Sequence, residues 1–187
     1  MKIWEIFLIG VALAMDAFAV TVANCLQYAD KLTVKKEWTM PVTFAAFQIL
    51  MPIIGFFIGG VFYEYLVSFS KFLTAGIFFI LAIKIALDQA LGKDEEKKDK
   101  PFGVLTLLSQ GVATSIDALA IGVTFSVELS LNIFAAAAII GGVTFLIVAF
   151  ALFIGKNLGK LLGKYSVWVG AIILFALAVK NLIEGLI

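Results

Sequence analysis

The chain has no histidine and a single cysteine, Cys25, in 187 residues. That inventory excludes imidazole and multi-thiolate metal sites, haem held by histidine, histidine-activated nucleophiles and any internal disulfide. Whatever chemistry the protein performs must rest on oxygen atoms. Charge is also scarce: 14% of residues are charged and the net charge is +1, against roughly 25% charged residues in soluble domains. No basic stretch is interleaved with aromatics, so nothing points to nucleic acid. Arginine is missing too, all fourteen basic residues being lysines.

What fills the chain is apolar surface, 63% of its residues being hydrophobic. The apolar runs reach about 20 residues, the length a helix needs to cross roughly 30 Å of hydrocarbon, whereas barrel strands would alternate over ~10 residues. The expected fold is therefore an all-α integral membrane protein in contact with the lipid bilayer. Hydropathy and helix breakers predict six transmembrane helices, at about 3–26, 40–63, 70–91, 102–126, 131–155 and 166–186. Pro41 and Pro101 suit the first turns of the second and fourth. Lys2, the apolar run after it and Ala12-Leu13-Ala14 imitate a cleavable leader, but the segment recurs later in the chain and is read as retained.

The only charge run, LGKDEEKKDK at 91–100, divides the chain into a first three-helix unit (1–91), a charged linker (92–101) and a second three-helix unit (102–187). Ten lysines lie in or around the first, third and fifth loops (Lys31, Lys35, Lys36; Lys93, Lys97, Lys98, Lys100; Lys156, Lys160, Lys164). Lys71 stands alone in the second, and the fourth has none. This bias predicts that the odd loops are cytoplasmic and that both termini face outward, N-out and C-out.

GVALAMDAFAV at 10–20 returns as GVATSIDALAI at 111–121, with six of eleven positions identical, among them Gly10/Gly111 and Asp16/Asp117. The same offset pairs Thr43-Phe44 with Thr144-Phe145. Because each half holds three spans, the first and fourth helices run in opposite directions. The expected architecture is thus two inverted-topology three-helix repeats, the arrangement many secondary transporters build around a midplane site.

An intramembrane carboxylate costs at least about 2.5 kcal/mol, so Asp16 and Asp117 need a partner or a function. Alanines one turn before and after each (Ala12 and Ala19, Ala113 and Ala120) would let the two helices cross at their aspartates. Two close carboxylates share protons, pair with a cation or bind metal. Hard oxygen ligands suit magnesium, calcium or manganese. On the fourth helix the face that carries Asp117 continues with Gln110, Thr114 and Thr124, all oxygen donors. In the second, Pro52 either frees the Gln48 carbonyl beside its side-chain amide or makes a simple kink. Met15 and Thr144 are secondary candidates, Met15 pointing about 100° away from Asp16. Lys84/Asp88 and Lys180/Glu184, each at i,i+4, are expected to form local ion pairs in the third helix of each repeat rather than to neutralise the aspartates.

The duplicated AMDAFAV and SIDALAI segments in a six-span chain of this length resemble the MntP-type manganese efflux pumps, bacterial inner-membrane exporters of the lysine-exporter-like superfamily. The resemblance covers essentially the whole chain. It implies manganese export that requires Asp16 and Asp117, with Mn²⁺ as transported substrate, no cofactor and an ion gradient as driving force, since no nucleotide-binding motif is present. The expected mechanism is cation/proton antiport by alternating access, with Gln48, Thr114 or Ser115 assisting the aspartates as metal ligands. The rival readings are a divalent-cation channel, a structural membrane subunit, an amino-acid exporter and an intramembrane aspartyl protease. The last uses Tyr-Asp and Gly-x-Gly-Asp contexts, whereas this chain has Met15-Asp16 and Ile116-Asp117.

Overall fold

The computed structural model describes residues 2–28, 34–59, 103–126, 132–162 and 165–186, with scattered positions between 72 and 87. Among the described residues all regular structure is helical: α1 (Ile3–Gln27), α2 (Val34–Ile58), α3 (Val104–Ala113), α4 (Ile116–Phe125), α5 (Ile133–Leu162) and α6 (Ser166–Leu186). Among these residues four stretches are long and apolar enough to span a membrane: Ile3–Gln27, Glu37–Ile58, Val104–Phe125 and Ile133–Gly159. Their outer faces carry large apolar side chains such as Phe57, Leu105, Phe134 and Phe153. An apolar exterior of this extent fits lipid, and the chain is a multi-pass membrane protein. The linker, Pro101, and Lys84 with Asp88 in the third predicted span lie outside the described residues.

Local chemistry explains the helix starts. The Lys2 backbone N–H donates to the Glu5 carboxylate at 2.8 Å, and Asn132 Oδ1 accepts the N–H groups of Phe134 and Ala135 at 3.1 and 3.2 Å. Both satisfy backbone donors that a first helical turn leaves open. The structure departs from the predicted spans at three places. First, α2 begins at Val34, so Pro41 lies inside it rather than in its first turn, and the helix also runs through Pro52. Second, α5 continues to Leu162, which puts Lys156 on a helix instead of in a loop; its ammonium reaches buried Glu37 at 2.6 Å. Third, the fourth span is broken in two at Thr114 and Ser115.

Packing is crossed between the two halves of the chain. The first helix, α1, packs chiefly on α5 and α6, while α2 packs on α4 and α5. The aspartate-bearing first and fourth spans touch only slightly, so the expected direct crossing of the two does not occur. Ala12 is exposed; Ala14, Ala17 and Val20 make the buried face around Asp16 instead. Close approach of α2 and α4 depends on reciprocal glycines. A Cβ at Gly55 would strike the Leu119 carbonyl and one at Gly122 the backbone of Pro52, where only backbone movement could relieve the clash.

Gly122→Ala should therefore destabilise the folded protein by at least about 1–3 kcal/mol. Gly142→Ala, where an added Cβ meets nothing within 4 Å, should be neutral or gain up to about 1 kcal/mol from helix propensity. Thermal unfolding of both variants in detergent checks this; equal midpoints would contradict the packing argument.

Candidate functional site

Asp16 stands midway along α1 and is 5% exposed. Its charge is met by a lysine from the far end of the sequence: Lys180 Nζ on α6 donates to Asp16 Oδ1 at 3.0 Å. This corrects the expectation that Lys180 would serve only its own helix. The helices α1 and α6 are packed together, which brings the ammonium within reach of the acid. The side chain of Glu184, its expected partner, lies outside the described residues. Met15 is 47% exposed although its neighbour Asp16 is buried. The 100° step between successive helix positions turns the thioether outward, away from the face that buries Asp16.

The equivalent region of the fourth span is built differently. The Ser115 hydroxyl donates to the Gly111 carbonyl at 2.6 Å and the Thr114 hydroxyl to the same oxygen at 3.3 Å. The Ser115 N–H turns to Val112, three residues back, instead of four. Hydroxyls that bond back onto the preceding turn bend helices, and here Ser115 leaves helical geometry at φ −120°, ψ 2°. A new helix then starts, with half-buried Asp117 in its first turn, where the positive end of the helix dipole favours a carboxylate.

Gln48 joins the two regions. It is fully buried on α2, and its Nε2 donates to the Leu13 carbonyl at 3.3 Å and the Thr114 carbonyl at 2.9 Å. Leu13 and Thr114 each stand three residues before their aspartate and occupy equivalent positions in the duplicated segment. One amide nitrogen thus ties both aspartate turns together, and the two carbonyl oxygens can lie no farther apart than the sum of those bonds. Flipping the amide would set its oxygen against two carbonyls, so the orientation is chemically determined. The amide oxygen, Gln48 Oε1, is buried and meets no donor among the described residues.

Farther along the same interface, Asn24 and Gln110 exchange a reciprocal pair of amide hydrogen bonds, Nδ2 to Oε1 at 2.8 Å and Nε2 to Oδ1 at 2.9 Å. Both are essentially inaccessible. Thr144 is buried on α5, its hydroxyl donating to the Ile140 carbonyl of its own helix at 2.9 Å. Apolar clusters flank the polar layer. One gathers Val20, Met40, Phe44, Phe78, Val148 and Leu174; the other holds Ile6, Phe125, Ile133, Ala136 and Ile140. Among the described residues no three of His, Cys, Asp and Glu converge on a metal-sized site, and the further oxygens these residues offer a cation are neutral ones. The helix break was foreshadowed by the adjacent Thr114-Ser115 pair, whereas nothing local marks Asn24 as the partner of a residue 86 positions away.

A broken membrane helix, an acid on each of two spans and an orphaned buried amide oxygen that shares its side chain with both acids' turns suit ion handling. Comparison with known proteins agrees. Residues 31–182 match the family described as "Putative manganese efflux pump". The chain belongs to the MntP family. Relatives named "Putative manganese efflux pump MntP" include one from Campylobacter hominis, 38% identical over 97% of this chain and 98% of its own length. Another, from Actinobacillus succinogenes, is 36% identical over 98% and 97% respectively. A third, from Ruminiclostridium cellulolyticum, is 36% identical over 98% and 97%. No solved structure matches. Membership of the MntP family makes the chain a transporter and not an enzyme, which removes the protease reading.

The amide pair gives a test of its own. Asn24→Ala and Gln110→Ala should each cost about 1–3 kcal/mol, because each strands a buried amide. The double variant should cost clearly less than the sum of the two. Thermal unfolding of the four proteins measures the coupling, and strict additivity would contradict a direct pair.

Proposed function

We propose that the protein exports Mn²⁺ from the cytoplasm across the bacterial inner membrane, holding the ion between Asp16 and Asp117 and alternating access around that site. Gln48, Thr114 and Ser115 complete the oxygen set in this reading. The observation that carries it is Gln48, whose nitrogen is consumed by both aspartate turns and whose buried oxygen is left with no donor among the described residues. A buried acceptor of that kind calls for a reason, and a cation supplies one. The hydroxyls of Thr114 and Ser115 donate backward, so their lone pairs stay available to a metal. Manganese, rather than another hard divalent ion, comes from the family and its relatives.

The architecture proposed is six spans in two inverted three-helix repeats, 1–91 and 102–187, joined by the charged linker at 92–101. Equivalent residues in equivalent roles support it. Gly10 packs on Ile140 of the fifth span and its counterpart Gly111 on Phe47 of the second, and the Leu13 and Thr114 carbonyls share one donor. With both termini outward, the Glu37–Lys156 pair and the Asn24–Gln110 clasp close the cytoplasmic end, while the Ile6–Phe125–Ile133 cluster closes the outer one. Transport then requires each closure to open in turn as the halves rock. An ion gradient drives the cycle, protons taking the place of the metal on the outer side.

In proteoliposomes, Asp16→Asn and Asp117→Asn should each lower Mn²⁺ transport about 100-fold or more, and Gln48→Leu about 10-fold. Normal transport by folded forms of both aspartate variants would overturn the site. Mn²⁺ flux should also move protons; flux indifferent to a collapsed pH gradient would remove the antiport and leave the site standing.

A further inference from the structure

The Lys180–Asp16 pair has a consequence for the cycle, one that rests on the transport reading above. We propose that Lys180 is a tethered counter-cation: its ammonium occupies Asp16 in the metal-free carrier, leaves when the divalent ion binds, and returns to displace that ion. Lys180 is thereby a positioning and coupling residue rather than a metal ligand.

Three observations carry this. The ammonium sits on the carboxylate oxygen itself, Nζ to Oδ1 at 3.0 Å, so a metal arriving at Asp16 competes with it for the same charge. Repulsion between a divalent ion and an ammonium on one carboxylate is strong in a low-dielectric setting and favours departure of the mobile partner. The pair is also lopsided: the Asp16 side chain is 7% exposed and that of Lys180 46%. The acid is fixed on the packed face of α1, whereas the lysine is half-exposed and has a flexible four-carbon stem on which to move. Finally, Lys180 stands six residues before the end of α6 at Leu186. That is about 9 Å of helix, short enough for a displaced ammonium to snorkel to the interface.

The exchange balances charge together with the antiported proton. In the empty carrier Asp16 is neutralised by the protein's own cation and Asp117 by a proton, and in the loaded carrier the divalent metal neutralises both. The metal always competes with an internal rival, so its apparent affinity is reduced by the fraction of carriers in which Lys180 holds the acid. A weakened grip is what an exporter needs in order to release its cargo.

The test pairs Mn²⁺ binding by calorimetry on the purified protein with initial transport rates in proteoliposomes, for wild type, Lys180→Gln and Lys180→Arg. Lys180→Gln should bind Mn²⁺ about tenfold more tightly while KM and kcat both fall about tenfold, because release and return lose their counter-charge. Lys180→Arg should keep the weaker binding of wild type. Unchanged or weaker binding by Lys180→Gln, with wild type binding normally, would overturn this proposal alone; failure of wild type to bind Mn²⁺ would overturn the transport reading beneath it. A second measurement needs no variant. Acetylation of Lys180 by a water-soluble succinimidyl ester, followed by mass spectrometry, should rise several-fold when Mn²⁺ saturates the wild-type protein. Unchanged or reduced labelling would refute displacement.

Discussion

A carboxylate in the hydrocarbon region must be compensated, and the described structure is arranged around that requirement at Asp16. Alone, the charge would cost at least about 2.5 kcal/mol even on lenient insertion scales. It is met by an ammonium delivered from α6, which places a demand on the fold: α6 must pack against α1 closely enough to bring Lys180 to 3.0 Å. Asp117, the second acid, lies in the first turn of a half-helix, where the positive end of the helix dipole favours a carboxylate.

Polar groups in the interior follow the same logic of satisfaction. Asn24 and Gln110 satisfy each other, Thr21 and Thr144 bond back to their own helices, and Gln48 spends its donors on two carbonyls. Against this thrift the free Gln48 oxygen stands out, and it lies where both aspartate turns meet. Small residues make the geometry attainable. The backbone of α4 comes against that of α2 because both contact points are glycine, which fits membrane helices that gain little from hydrophobic burial and associate through close packing.

Much of this was legible in the sequence. Length and hydropathy reveal the membrane helices, the duplicated segment singles out Asp16 and Asp117, and Gln48 could be picked out through its relation to Pro52. The parts that were not legible depend on tertiary contact. Lys180 has an acid at i+4, and local pairing was the cheaper expectation; only the packing of α6 on α1 reveals that its ammonium reaches Asp16. The break at Thr114-Ser115 was hidden by hydropathy, which reads an apolar stretch as continuous whether or not its hydroxyls interrupt the ladder. The crossed packing of halves replaced the expected contact between aspartate helices for a related reason. Alanines allow close approach but do not choose the partner, and it is Gly10 and Gly111 that sit against the second helix of the opposite half.

The central claim is that one divalent ion is held jointly by the two halves of the chain. Manganese-edge anomalous scattering from the protein with Mn²⁺ bound tests it most directly. The account predicts a single peak within about 2.5 Å of a carboxylate oxygen of both Asp16 and Asp117, with the Lys180 ammonium withdrawn. A peak bound to one aspartate with Lys180 still on the other, or a peak away from both, would contradict it.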